Sequence, residues 1–388
     1  MTEAIFRNWN NSVLSTPRVV AVPGDLQELI EVVRDKANYP SPLRVGGSFH
    51  SLNACFVSEG TQILLRHFDQ IQVDTDEMTV KVGAAVKMFQ VRDALKPHGM
   101  QTAVTPEIGN ATAGSVACCG TKDASLGRSG SGQVGSTAIG VRLVDADGEV
   151  ETITEADDPE RMRAVRSSYG LLGVVFEVTF RIQRLSILSY SYKSFELTPL
   201  PGPDELSGGA DGVLGLLPYS NRIVVERRVR TGTAPISGFS RVKLDRGHYF
   251  DFTFWAVPVS RWEDFIPEYV AFCRDYLRKT GFRVNLLSEV YFTNKEQSAL
   301  LSFSSEEDVF TLDLTDSRLN DLYWIEFNKR FNVFVAGFGA RPLLNQSKQL
   351  SWDIVYQTLG EDWKRFLLYR EQIDPDGRFL SKFFEDLI

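Results

Sequence analysis

The sequence predicts a two-domain α+β fold, and three observations lead to it. Its 388 residues are enough to build two cores of ordinary size. Hydrophobic residues at 43% and charged residues at 24% lie near the globular average, and no segment is biased enough to remain disordered. Short strand-like runs alternate with helical spacing through residues 17 to 183, after which the glycine-rich character ends and the strands lengthen.

Asp25-x-x-Glu28 opens an amphipathic helix through about Lys36, with Leu26, Leu29, Ile30 and Val33 on one face. Strand-like runs follow at Leu43 to Val45, Gln62 to Leu65, Ile71 to Asp74 and Thr79 to Gly83, and a second helix covers Met88 to Lys96. Val141 to Val144 and Val150 to Ile153 flank Asp145-Ala146-Asp147-Gly148, whose Asp-Gly pair tolerates positive φ and predicts a hairpin. Val174 to Phe180 alternates as a half-buried strand does. Beyond Leu185, Arg222 to Val229 and His248 to Trp255 read as strands, and residues 263 to 279 read as a helix stopped by Thr280-Gly281. Trp363 to Ile373 is a further amphipathic helix, ended by Asp374-Pro375-Asp376-Gly377. Residues 1–183, completed by 350–388, are expected to form one domain and residues 184–349 the other.

With 42 basic against 50 acidic side chains the net charge is −8, which repels phosphate backbones, so nucleic acid is not an expected partner. The N-terminal residues lack the pattern of a secretion signal and no apolar run is long enough to span a bilayer, which leads to the expectation of a cytoplasmic protein with no membrane segment. Cys55, Cys118, Cys119 and Cys273 match no metal spacing, and His50, His67, His98 and His248 are too scattered for a metal centre, so none is expected.

Two segments carry chemistry. Arg44-Val45-Gly46-Gly47-Ser48-Phe49-His50-Ser51 follows a strand, and its paired glycines let backbone amides curl toward an anion without Cβ interference, although two glycines after a strand also make an ordinary turn. No G-x-G-x-x-G is present. Thr105 to Asp123 is a long stretch of small residues with low propensity for regular structure, which would let a flat cofactor approach the backbone or would simply be a surface loop.

These residues resemble the PCMH-type FAD-binding domain of the vanillyl-alcohol oxidase superfamily, most closely its aldonolactone and alditol oxidase branch. The resemblance takes in Asn8-Trp9-Asn10, the Gly46 to Ser51 loop, Ala113 to Thr121, Tyr169 to Val175 and Arg370 to Phe379, in this order over nearly the whole chain. It implies FAD, with the pyrophosphate held by the first loop through Arg44, Gly46, Gly47, Ser48, Phe49, His50, Ser51 and Asn53. The isoalloxazine would face Pro106, Ile108, Gly109, Ala113, Gly114 and Ser115, followed by Ala117, Cys118, Gly120 and Thr121. Gly173, Val174 and Val175 would touch the cofactor from the last turn. A cap domain would cover the flavin and form much of the substrate pocket.

His50 stands where many relatives bond a histidine to the flavin 8α-methyl group, so the resemblance implies a covalent tether; the plainer alternative is a histidine that only packs there. Cys119 matches the small residue that relatives place near flavin C4a and would gate oxygen, or would serve only as a small apolar side chain. His248 begins a strand with Phe250, Phe252 and Phe254 on the same side, a pocket base or a packed histidine. The relatives' cap also carries Glu-x-Arg and a later His-Trp-Gly-Lys. Here Ser288-Glu289-Val290-Tyr291 keeps the glutamate with tyrosine for arginine, and Arg341-Pro342-Leu343-Leu344-Asn345-Gln346 has leucines for His-Trp and glutamine for lysine. Two cations are missing, with Lys348 a substitute after a register shift and Leu343 and Leu344 available to line an apolar pocket.

The resemblance therefore implies a two-electron oxidation of an alcohol-type small molecule, other than a simple polyol, by hydride transfer to flavin N5. Oxygen or another acceptor would reoxidise the flavin. Glu289, Tyr291 and Gln346 are the polar groups expected over the substrate. Two rival readings stand beside this one: an oxidative tailoring enzyme acting on an amine or a biosynthetic intermediate, and a flavin-binding protein without turnover.

Overall fold

A computed structural model describes residues 4–104, 106, 108–122, 133–202, 205–206, 211–232 and 249–388. The chain starts with a hairpin of β1 (Phe6–Arg7) and β2 (Leu14–Ser15), whose turn carries Asn8, Trp9 and Asn10. A small parallel sheet follows, with β5 (Thr61–Ile63) between β3 (Val19–Ala21) and β4 (Leu43–Val45). The connecting helix α1 (Leu26–Arg34) is capped by Asp25, whose carboxylate accepts from the Glu28 amide, while Glu28 reaches back to the Gly24 amide. Its buried Leu29, Val32 and Val33 pack on the parallel sheet together with Ile63 and Leu65.

Among the described residues a second, antiparallel sheet runs in the order β10-β9-β11-β7-β6, with β8 also paired to β11. Its strands are β6 (Ile71–Asp74), β7 (Thr79–Gly83), β8 (Met100–Thr102), β9 (Ala138–Val144), β10 (Val150–Thr154) and β11 (Val174–Arg184). The expected hairpin is the β9–β10 pair, in which Gly148 takes φ +78°. Helices α2 (Met88–Leu95), α3 (Ala113–Cys118) and α4 (Pro159–Val165) pack on this sheet. Helix α3 corrects the expectation of an irregular stretch: Ala113, Val116, Ala117 and Cys118 enter the sheet's core, and burial outweighs weak local propensity.

The third sheet is ordered β12-β14-β13-β16-β17-β15-β18. It comprises β12 (Ile187–Glu196), β13 (Asp211–Leu217), β14 (Arg222–Gly232), β15 (Asp251–Pro258), β16 (Ser288–Thr293), β17 (Val309–Asp316) and β18 (Arg341–Pro342). One face is covered by α5 (Trp262–Thr280) and α6 (Leu322–Ala336), which bury Phe265, Tyr269, Phe327 and Phe331. Strand β15 begins at Asp251, and His248 lies outside the described residues.

Helix α7 (Trp352–Ile373) starts well before the expected Trp363 because the left-handed Gly360, at φ +52°, interrupts the helical period that the sequence displays. Its Val355, Leu359, Trp363 and Phe366 join the core of the antiparallel β6–β11 sheet, so the C-terminal helix returns to the first half of the chain. Among the described residues no helix is long and apolar enough to cross a membrane.

A buried polar clasp joins these parts. Asp251, at the head of β15, is 2% exposed and accepts from Trp324 Nε1 at 3.0 Å and Asn10 Nδ2 at 3.3 Å. The Lys348 ammonium lies 3.3 Å from the Asp251 carboxylate and donates to the Leu52 carbonyl at 3.3 Å. Removing one member of a buried pair leaves an uncompensated charge, so Lys348→Met is expected to cost about 3–5 kcal/mol. Urea unfolding of the variant beside the parent checks this, and Asp251→Asn combined with Lys348→Met should recover much of the loss.

Candidate functional site

The loop after β4 and the face of β16 and β17 line one cavity of about 390 Å³. On the loop side, the Gly46 amide donates to the Ile63 carbonyl at 2.8 Å, which turns the chain off the parallel sheet. A Cβ at Gly47 would lie 2.5 Å from Ser115 Oγ and 2.6 Å from Thr112 Oγ1, so only glycine lets the loop approach the start of α3 this closely. Ser48 donates its hydroxyl to the Asn110 carbonyl. Phe49 takes a left-handed φ of +55°, a strain its ring offsets by packing on Phe6 at 5.6 Å and Phe56 at 5.2 Å.

The next residue, His50, lines the cavity, and its Nε2 is buried without a hydrogen-bond partner. Burial pushes the imidazole pKa below its ordinary value; nearby Asn110 opposes this, and Lys87 adds to it. Asn110 Oδ1 is itself buried without a partner, so Asn110 restrains the shift without a well-formed bond through that oxygen. His50 is therefore a neutral imidazole at pH 7 with a nitrogen directed at nothing in the protein.

On the opposite side the strand register sets the chemistry. Glu289 on β16 pairs with Asp313 on β17 and Tyr291 with Thr311, so Glu289, Tyr291, Asp313 and Thr315 share one face. The first two and Thr315 and Asp313 all line the cavity. The Tyr291 hydroxyl donates to Glu289 Oε2 at 2.9 Å. Lys122, four residues beyond the end of α3, forms an ion pair with Asp313 and holds its ammonium 3.8 Å from the centre of the Tyr291 ring. Trp9, Phe250 and Phe252 supply an aromatic wall, with Trp9 and Phe250 edge to face at 4.9 Å.

Of the residues singled out by sequence, Arg44, Gly47, Ser48, Phe49, His50 and Ser51 line this cavity, as do Pro106, Ile108, Ser115, Cys119 and Thr121 and the trio Glu289, Tyr291 and Gln346. The others stand behind it. Gly46 makes the turn; Asn53 donates to the Leu344 and Ser347 carbonyls and so fixes the loop that bears Gln346. The Ala113 and Gly114 amides are spent on the Val86 and Ala84 carbonyls, and the Gly109 carbonyl accepts from the Phe89 amide. Ala117 and Cys118 lie in the core, and Gly120 backs onto Leu343, 2.9 Å from where its Cβ would be. Gly173, at φ +138°, turns the chain into β11, whose Val174 and Val175 are core residues. Arg44 lines the cavity, but its guanidinium donates to the carbonyls of Cys55, Tyr169 and Phe379.

Two expectations change here. Leu343 and Leu344 are 1% exposed in the core and do not line this cavity, whose aromatic wall comes from Trp9, Phe250 and Phe252. Lys348 is committed to Asp251 and Leu52, so the cation at the cavity is Lys122, the one basic residue in the small-residue stretch and its only sequence signal. Asp313 carried no signal, since only strand pairing sets it opposite Glu289. Burial raises the Cys119 thiol pKa well above its ordinary value, reinforced by Cys55 and Cys118, and pushes Cys118 up to about 12. Both are neutral thiols rather than nucleophiles.

The glycine approach at Gly47, the unpartnered His50 Nε2 and the unpartnered, cavity-lining Asn345 Oδ1 fit a polar, elongated cofactor. Residues 17–154 match the FAD binding domain family. An FAD-linked oxidoreductase of Aspergillus ruber is 28% identical over 185 residues, covering 46% of this chain and 35% of that protein. The L-gulonolactone oxidase of Mus musculus is 24% identical over 191 residues, 49% of this chain and 43% of that enzyme. The matched segments thus span well under two thirds of these relatives. A cholesterol oxidase from B. sterolicum shares the fold, with a TM-score of 0.80 at 14% identity over 99% of this chain and 96% of that one. Residues 17–154 thus carry an FAD-binding domain, and the chain as a whole has the fold of that cholesterol oxidase.

Gly47→Ala drives a methyl group into Ser115 and Thr112, so the variant should bind FAD about tenfold or more weakly, the factor that about 1.4 kcal/mol produces. Flavin absorbance per polypeptide after dialysis, for parent and variant, checks this.

Proposed function

With residues 17–154 as an FAD-binding domain, we propose that the protein is an FAD-dependent oxidoreductase that removes two electrons from an alcohol-type small molecule. Residues 1–183 and 350–388 hold the cofactor and 184–349 cap the substrate. The observation that carries this reading is the Tyr291–Glu289 hydrogen bond on a strand face that lines the same cavity as the Gly46 to Ser51 loop. When bound, FAD supplies a two-electron acceptor that takes hydride at N5 and passes electrons to oxygen or another acceptor.

The chain's own residues divide the remaining work. Gly47 and Ser115 would bring a backbone amide and a hydroxyl to the pyrophosphate, and Ser48 would hold the loop through its bond to the Asn110 carbonyl. Tyr291 and Glu289 receive the proton of the reacting group, and Gln346 holds a neighbouring polar atom of the substrate. Cys119, small and neutral, would limit the room beside the flavin ring and so the access of oxygen. His50, neutral and with Nε2 unpartnered, would be the residue to bond the flavin 8α-methyl carbon.

Among the relatives, the names of several refer to aldonolactones, such as the L-gulonolactone oxidase. The aromatic wall of Trp9, Phe250 and Phe252 would desolvate a sugar's hydroxyls without pairing them, which disfavours simple polyols and lactones.

The reading is tested by anaerobic mixing with apolar alcohols, secondary amines, xylitol, sorbitol and aldonolactones while the flavin absorbance is followed. Bleaching by an apolar alcohol is the expected result; bleaching by an amine alone would move the protein to the rival class, and no bleaching by any would leave a binding protein. Tyr291→Phe should slow bleaching about 10²–10³-fold, the loss typical of one preorganised donor. Acid precipitation should leave the yellow colour with the polypeptide, and His50→Ala should release it to the supernatant; a colourless parent pellet removes the tether and leaves the fold untouched.

A further inference from the structure

We propose that Lys122 is the cation that acts on the substrate hydroxyl, together with Tyr291 and Glu289, and that this hydroxyl is carried on an apolar, ring-like body. The inference rests on the alcohol-oxidising reading of the cavity. The sheet face over the cavity offers acid, phenol and hydroxyl groups at Glu289, Asp313, Tyr291 and Thr315 but no cation, and Gln346 is neutral. The charge arrives from another part of the chain. Lys122 leaves the loop after α3, pairs with Asp313 and rests 3.8 Å over the Tyr291 ring, with Phe254 farther off at 5.8 Å. Arg44, the other lining cation among the described residues, is turned to carbonyls of Cys55, Tyr169 and Phe379.

The ammonium is thus held beside the phenol that already donates to Glu289 Oε2. Asp313 on β17 is paired with it and the Tyr291 ring on β16 lies under it, while Glu289 accepts from Tyr291 and neutral His50 lines the loop side of the same cavity. As the alcohol reacts, its O–H bond breaks and the proton passes to the Tyr291 oxygen while the Tyr291 proton passes to Glu289. The carbon–hydrogen bond breaks with both electrons leaving as hydride to the flavin. The ammonium stabilises negative charge that builds on the two oxygens between these transfers. The body of the substrate lies against Trp9, Phe250 and Phe252, and Phe250, 37% exposed, puts the aromatic wall at the cavity mouth.

The probe is 4-nitrophenol, a ring with one ionisable hydroxyl and no hydride to give, added to the flavin-loaded protein. Its phenolate absorbance is read by difference against the protein alone across a pH series. In the parent, the bound probe should ionise about 1–3 pH units lower than free probe, the shift a nearby opposite charge produces. Lys122→Met should abolish the shift and Lys122→Arg should keep most of it. Lys122→Met with Asp313→Asn, which leaves no buried lone carboxylate, should also abolish it and guards against a folding defect. An identical titration in parent and both methionine variants overturns the proposal, as does a parent that does not bind the probe. A lysine-dependent shift in a protein that no alcohol bleaches would sustain the cation's placement while the alcohol-oxidising reading fails.

Discussion

The clasp of Lys348 on Asp251 is the interaction on which the geometry of the cavity depends. It gathers four separate stretches at one buried point: the Asn8 to Asn10 turn, the Leu52 end of the glycine loop, the head of β15 and the helix bearing Trp324. Phe252 lines the cavity one residue beyond Asp251, Trp9 precedes Asn10, and Gln346 stands two residues before Lys348. The aromatic wall, the end of the glycine loop and the segment bearing Gln346 are therefore tied within a residue or two to the same ion pair. A buried pair adds little to stability compared with an apolar replacement, but it tolerates only one relative placement of its partners. Here that placement sets the third sheet over the loop.

A second layer of positioning comes from side chains that spend their polarity on backbone rather than on a ligand. Arg44 holds the carbonyls of Cys55, Tyr169 and Phe379, and Asn53 holds those of Leu344 and Ser347. Arg378 does the same at the far side of the parallel sheet, donating to Val32, Val33 and Tyr39. The last turn of the chain is thereby fastened to α1 and the β4 end. Such bonds replace ladder contacts where three small elements meet without a shared sheet, and they satisfy carbonyls that burial would otherwise leave orphaned.

The cavity itself divides by chemistry. Its loop wall is built of small residues and a neutral histidine, and its sheet wall of paired acids, a phenol and one imported ammonium. The division follows from topology: the loop must admit backbone close to a ligand, whereas an antiparallel sheet presents alternate side chains from neighbouring strands in one plane. Lys122 crosses from the first to the second and so makes the charge of the sheet wall depend on the loop after α3.

Sequence by itself determined the fold class, the glycine loop, most strand positions and the helices with an unbroken apolar period. Those features are local: Gly46 and Gly47 follow a strand, and Leu29 and Val33 recur at helical spacing whatever lies around them. The first half of α7 was hidden because Gly360 breaks its period, and α3 because its burial, not its propensity, makes it helical. Glu289 and Tyr291 were legible through the resemblance, whereas Asp313 was not and Lys122 showed only as the basic residue of the small-residue stretch. Only strand pairing brings Asp313 opposite Glu289, and only the packing of the loop after α3 under that sheet brings an ammonium to the Tyr291 ring. Contacts between residues 191 positions apart leave no periodic trace in a single chain, so tertiary structure alone decided which cation serves the cavity.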